Sequence, residues 1–234
     1  MAQAETKYTQ AMAPAHAQAG AAVAQARSDY TFALSRAEVE RAQAAALFEK
    51  AAATPSDGGT RTSRERIEDL RKLAGVHLHL EHPERAGQLF AEALELSKVE
   101  YGERSHNVAA LAYNLGLTTH DPVEKVALFE HAADIYGELF EDHPDLGDAL
   151  FHWGQALSAV GRPKDAESKM RAGLDMLARG IGQTHPYVLD CRSSLVQLLV
   201  DEGRFSEAFE LAVSVHADAQ AQMRRIEFVG PSVG

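Results

Sequence analysis

One interval governs this sequence: 42 residues separate Gly161 from Gly203, Ala166 from Ala208, and the dipeptide His143-Pro144 from His185-Pro186. Phe48 with Phe90 and Ala51 with Ala93 keep the same 42-residue spacing, which brings the alanine-rich segment before residue 53 into the register. A chain that repeats itself in this way is built from stacked copies of one small unit. A single unit cannot bury its own apolar face, so it needs a neighbour on each side. The fold then turns on the conformation of that unit.

The unit reads as two amphipathic helices. Leu150, Trp153, Gly154, Leu157 and Val160 recur at helical spacing on one side of a first helix. Gly161-Arg162-Pro163 makes the turn, with glycine closing one helix and proline opening the next. In the second helix Ala166, Met170, Gly173, Leu174 and Leu177 face back towards the first. The order small, bulky, small repeats as Ala86, Phe90, Ala93 and as Ala166, Met170, Gly173. It recurs with altered fillers at Ala208, Ala212 and Val215, and with a one-residue deletion around Val126, Phe129 and Ala132. Thr62 with Glu65 has the form of a capping box, and Asp121-Pro122-Val123-Glu124 that of a capped helix start. No alternating strand pattern competes, so the chain is predicted to be all-α.

Trp153-Gly154, Gly161, Ala166, Met170 and Gly173, with Leu115-Gly116 and the Ala86, Phe90, Ala93 series, resemble the tetratricopeptide repeat. The 42-residue period, with the openings Tyr101 to Ala109, Glu141-Asp142-His143-Pro144 and Gly182-Gln183-Thr184-His185-Pro186-Tyr187-Val188, is similar to the longer subclass typified by kinesin light chains. The likeness covers residues 62–218 closely and 17–53 loosely. It implies a right-handed superhelical solenoid of antiparallel helix pairs, about four to five repeats long, whose first helices line a concave groove.

The expected organisation is an alanine-rich helical region over 1–53, forming a degenerate or capping repeat, then a turn-rich linker over 54–61. The solenoid proper runs over 62–222, in pairs at 62–100, 105–140, 144–180 and 186–222, and a tail over 223–234 follows. The linker, Thr54-Pro55-Ser56-Asp57-Gly58-Gly59-Thr60, is dense in turn formers.

Charge and composition narrow the classes of function. A net charge of −11 opposes non-specific nucleic-acid binding, which depends on lysine and arginine neutralising phosphates. No apolar run approaches the roughly 20 residues of a membrane span, and the first residues have neither a secretory nor a transit-peptide pattern. The expected location is the cytoplasm. Cys191, the single cysteine, permits no internal disulfide and reads as a buried helical residue. His77, His79 and His82 do not share a helix face, and His106, His143 and His185 recur at unit openings as capping residues, so no metal is expected. No zincin, phosphate-loop or nucleophile-elbow motif is present, and neither catalysis nor a cofactor is predicted.

Carried over by register, the resemblance implies groove candidates at Arg71 and Lys72, Tyr113 and Asn114, His152 and Gln155, and Ser194 and Gln197, with Tyr113 and Phe151 as aromatic anchors. Trp153 is assigned to the packed side. Asn114 corresponds best to the family's backbone-binding asparagine, since an amide both donates to and accepts from one peptide unit. His152 and Ser194 depart from asparagine at the matching sites, and Gly75 and Ala110 leave a carboxylate clamp incomplete. The expected job is to hold a peptide or helix of a partner protein as an adaptor or scaffold. A self-assembling homo-oligomer and a peptide-sensing regulatory solenoid are the alternatives.

Overall fold

The computed structural model of the chain describes residues 62–228 without a break, with side chains up to 221, and scattered helical residues between 25 and 46. The linker over 54–61, the first residues and the end of the tail lie outside the described residues. Within residues 62–228 eight helices follow one another: α1 (Ser63–His79), α2 (Pro83–Tyr101), α3 (His106–Thr118), α4 (Pro122–Leu139), α5 (Pro144–Ala159), α6 (Pro163–Ile181), α7 (Pro186–Asp201) and α8 (Phe205–Phe228). The described residues contain no strand, and each helix packs against the next in sequence. The architecture is an all-α solenoid of helix pairs. Its last helix runs to Phe228, past the 222 boundary set from sequence.

The helix starts follow from capping chemistry. Thr62 accepts from the Glu65 amide while the Glu65 carboxylate accepts from the Thr62 amide at 2.8 Å, completing the box. Asp121 accepts from the Val123 amide at 2.9 Å. His143 and His185 cap with a ring nitrogen: each Nδ1 accepts, at 3.2 Å, from the amide two residues on. The recurrent His-Pro phrase is thus a helix start, with imidazole as acceptor and proline at a position that needs no amide hydrogen.

Within a pair the helices approach as closely as backbone allows. A methyl group placed on Gly154 would lie 2.5 Å from Met170 Cγ and 2.7 Å from the Ala166 carbonyl oxygen. One on Gly173 would collide with the Gly147 carbonyl and the Phe151 amide. The small residues of the repeat are therefore contact points between the α5 and α6 backbones. Phe151 fills the space beside them and is 2% exposed. This corrects its assignment as a groove anchor: the α5 backbone turns that side chain inward, against α6. Trp153 is only partly buried, with the Lys169 ammonium 3.9 Å above its ring.

Gly161 and Gly203 turn the chain with φ of 77° and 74°. The matching turn between α1 and α2 has Glu81 at φ 59°, a left-handed conformation that costs a side-chain-bearing residue about 1–2 kcal/mol. Glu81→Gly is expected to raise stability by about 0.5–1 kcal/mol in urea unfolding, the relief of strain exceeding the entropy that glycine adds to the unfolded chain. Gly154→Ala is expected to lower stability by about 1–3 kcal/mol in the same assay, because the contacted atoms are backbone.

Candidate functional site

The first helices of three successive pairs (α3, α5 and α7) are tied side by side by polar contacts. His106 Nε2 on α3 lies 3.3 Å from Asp145 on α5. Deeper in, Asp148 on α5 accepts from the phenol hydroxyls of both Tyr113 on α3 and Tyr187 on α7. One carboxylate thus joins three first helices. The Tyr187 hydroxyl has a single proton, which goes to Asp148. Towards His152 Nε2, 3.3 Å away, its oxygen must accept, so that imidazole is protonated on Nε2. His152 also stacks on Phe129 at 5.5 Å and meets the edge of Tyr113 at 5.6 Å.

Burial sets the protonation of this seam. It pushes the phenols of Tyr113 and Tyr187 up, reinforced by the neighbouring Asp148 charge, so both stay protonated donors. It pushes the His152 imidazole below its ordinary range, and Lys125 adds to this. Asp148 and a hydrogen bond with Gln155 oppose the shift without cancelling it. Burial likewise raises the Cys191 thiol to about 12, making it an unreactive core group.

The other candidates divide by location. Arg71 binds the Glu68 carboxylate through two nitrogens, at 2.7 and 2.9 Å, and Lys72 reaches the same carboxylate at 3.4 Å. Both of these cations are therefore engaged within their own helix. Asn114 donates to the Ala110 carbonyl at 2.8 Å, so part of its amide is spent on its own backbone. Gln155, Ser194 and Gln197 come together, lining a cleft of about 270 Å³ between α5 and α7 with Ser158, Leu198 and Asp201. Gln197 donates to Asp201 at 2.8 Å, and Ser194 donates to the Asp190 carbonyl at 3.2 Å. Amides and hydroxyls with one carboxylate and no cation make a lining suited to a neutral or basic peptide.

A larger cleft, about 560 Å³, opens between α6, α7 and α8 over Leu174, Leu195 and Leu211. Its arginines already have carboxylate partners: Arg192 with Asp218 at 2.5 Å and Arg171 with Glu167 at 2.8 Å. The smaller cleft differs in that its side-chain amides keep unused hydrogen-bonding capacity. Among the described residues no three His, Cys, Asp or Glu side chains gather as metal ligands, and no helix is long and apolar enough to cross a membrane.

Sequence reasoning missed Asp148 and Tyr187. Asp148 could have been found as the residue one helical turn before His152 on the same face. Tyr187 offered less, since it stands in the opening phrase Thr184-His185-Pro186-Tyr187, ahead of the groove positions.

No protein-family model and no curated protein matches the sequence. Solved structures do. A point variant of kinesin-light-chain-like, nearly identical TPR-like repeats from Podosopora anserina is similar over 81% of this chain and 92% of its own, with 20% identity and a TM-score of 0.67. BtubC (BKLC) from P. vanneervenii is similar over 80% of this chain and 76% of its own, at 16% identity and a TM-score of 0.71. A Rap protein complexed with competence and sporulation factor is similar over 72% of this chain and 48% of its own, at 16% identity and a TM-score of 0.57. The fold is that of the tetratricopeptide-like repeat arrays, kinesin-light-chain-like ones included.

The depressed His152 pKa has a consequence for stability. The folded protein binds this proton less readily than the unfolded chain, so stability holds above the ordinary imidazole value of 6.5 and is lost as pH falls below it. In thermal melts between pH 7.5 and 5, His152→Gln is expected to flatten the acid limb of the wild-type profile. An unchanged limb would place the responsible proton elsewhere.

Proposed function

We propose that this protein is an interaction module that binds an extended, neutral or basic peptide segment of a partner protein along α3, α5 and α7. The observation that carries the reading is the convergence of Gln155, Ser194 and Gln197 on one cleft beside the Tyr113–Asp148–Tyr187 seam. An extended peptide presents an amide hydrogen and a carbonyl at every residue, and side-chain amides satisfy both from one group. Asp201 at the cleft and the exposed Asp190 on the same helix disfavour an acidic ligand. The hydrogen-bonded seam alongside holds α5 and α7 together before the ligand arrives, which lowers the ordering cost of binding. The Rap protein of like fold, seen complexed with competence and sporulation factor, supports a binding role for such an array. In a cell the module would act as a cytoplasmic adaptor or scaffold rather than an enzyme.

The test is selection from a random peptide library on the wild-type protein, with counter-selection on a Gln155→Ala/Gln197→Ala variant. Selected peptides are expected to bind the variant at least about tenfold more weakly by calorimetry, as the loss of one to two net hydrogen bonds requires. The thermal midpoint should hold, since Gln155 is only half-buried and Gln197 is exposed. Peptides that bind both proteins equally would place the site outside this cleft.

A further inference from the structure

In an interior pair, one face of the second helix receives the pair that follows. On α6 this face is charged: Glu167 accepts from Arg204 at 2.6 Å, and Arg171, one turn later, lines the cleft shared with α7. The 42-residue register carries Glu167 to Phe209 and Arg171 to Val213 on α8. Together with Phe205 they form one stripe at intervals of four residues, and they are 67%, 70% and 53% exposed for Phe205, Phe209 and Val213. A solenoid face that ends in water is polar. This one has exchanged two charged positions for apolar ones, which is the composition of a face that is covered.

The same chain contains a matching cover. Tyr30, Phe32 and Val39 stand on helical backbone ahead of α1 and are 67%, 72% and 56% exposed. Phe32 and Val39 are seven residues apart and so share a helix face. Their segment belongs to the repeat register through Phe48 and Ala51, in the position of a unit preceding α1, at the opposite end of the array from α8. Charge favours this pairing over two α8 stripes meeting each other. Arg204 and Arg192 already hold Glu207 and Asp218, while Glu210 has no Lys or Arg beside it between 205 and 221 and adds like charge wherever two such helices meet. Residues 1–61 contain six acidic and six basic side chains, leaving the whole −11 in the remainder of the chain.

We propose that the helical segment around Phe32 and Val39 of one copy seats on the Phe205–Phe209–Val213 stripe of α8 in a second copy, joining chains head to tail. The contact uses different surfaces on the two partners, so each addition leaves one fresh face of each kind and the assembly grows as an open chain or closes as a ring.

Sedimentation velocity across a concentration series of the full-length protein tests this. The wild type is expected to move from one chain to larger species as concentration rises. Phe205→Glu/Phe209→Glu and Phe32→Glu should each raise the dissociation constant about thirtyfold or more. The altered side chains are exposed, and unchanged circular dichroism melts would verify folding. The decisive arm mixes the two variants. Each keeps one intact face, so together they should form a dimer and nothing larger. A wild type that stays a single chain at every concentration would overturn the proposal. So would a Phe32→Glu variant that assembles like the wild type, or two variants that fail to pair when mixed.

Discussion

Everything in this solenoid depends on how closely two backbones can approach within a helix pair. Gly154 and Ala166, and Gly147 and Gly173, are points where no larger side chain fits, and the packing of α5 on α6 is set there. With that distance fixed, Phe151, Leu157, Met170 and Leu177 fill the remaining space as a dry core. The first helix is then oriented so that its opposite side, with Asp148, His152 and Gln155, faces its counterparts in the neighbouring pairs. The polar seam and the cleft are consequences of the small residues beneath them.

A second layer of contacts joins the pairs at their turns. Arg179 holds Asp142 at 3.0 Å across two helix ends, and Arg204 gathers Glu167, Glu202 and Glu207. Half of these ions are exposed and the others are only partly shielded, so each pair contributes little by itself. Their repetition at equivalent turns has more effect on the angle between pairs than on the total stability. Asp148 differs in accepting from the phenols of two other helices at once.

The fold was legible in the sequence because the signals that encode it are local and repeated. The glycine turns, the His-Pro openings and the small-bulky-small order each state the geometry of a helix pair, and the register multiplies the statement. The groove was legible only in part. Gln155, Ser194 and Gln197, chosen by register, share a cleft. Phe151 was not, because adjacent helix positions differ by 100° in direction and a small error in the assumed groove axis moves a residue from surface to core. Arg71 and Lys72 stand on α1, and nothing in their spacing indicated how fully Glu68 would engage them. Asp148 escaped notice because its importance comes from two tyrosines 35 and 39 residues away, a distance that periodicity does not report.

The cleft between α6, α7 and α8 bears on how the array comes apart. A solenoid behaves as a one-dimensional chain of units coupled to their nearest neighbours, and it opens first where that coupling is weakest. A cleft of about 560 Å³ thins this junction, where α7 holds on through Val188, Cys191, Leu195 and Leu198 packed on the α5–α6 core, with the Asp148 seam and the Arg204 cluster beside them. The terminal pair is therefore the unit from which melting starts, and its amides should exchange with solvent ahead of those in α5 and α6. A ligand held between α5 and α7 would bridge that junction from the inside. Binding would then be felt as a zipper drawn closed at the frayed end, with the whole array melting more nearly as one body.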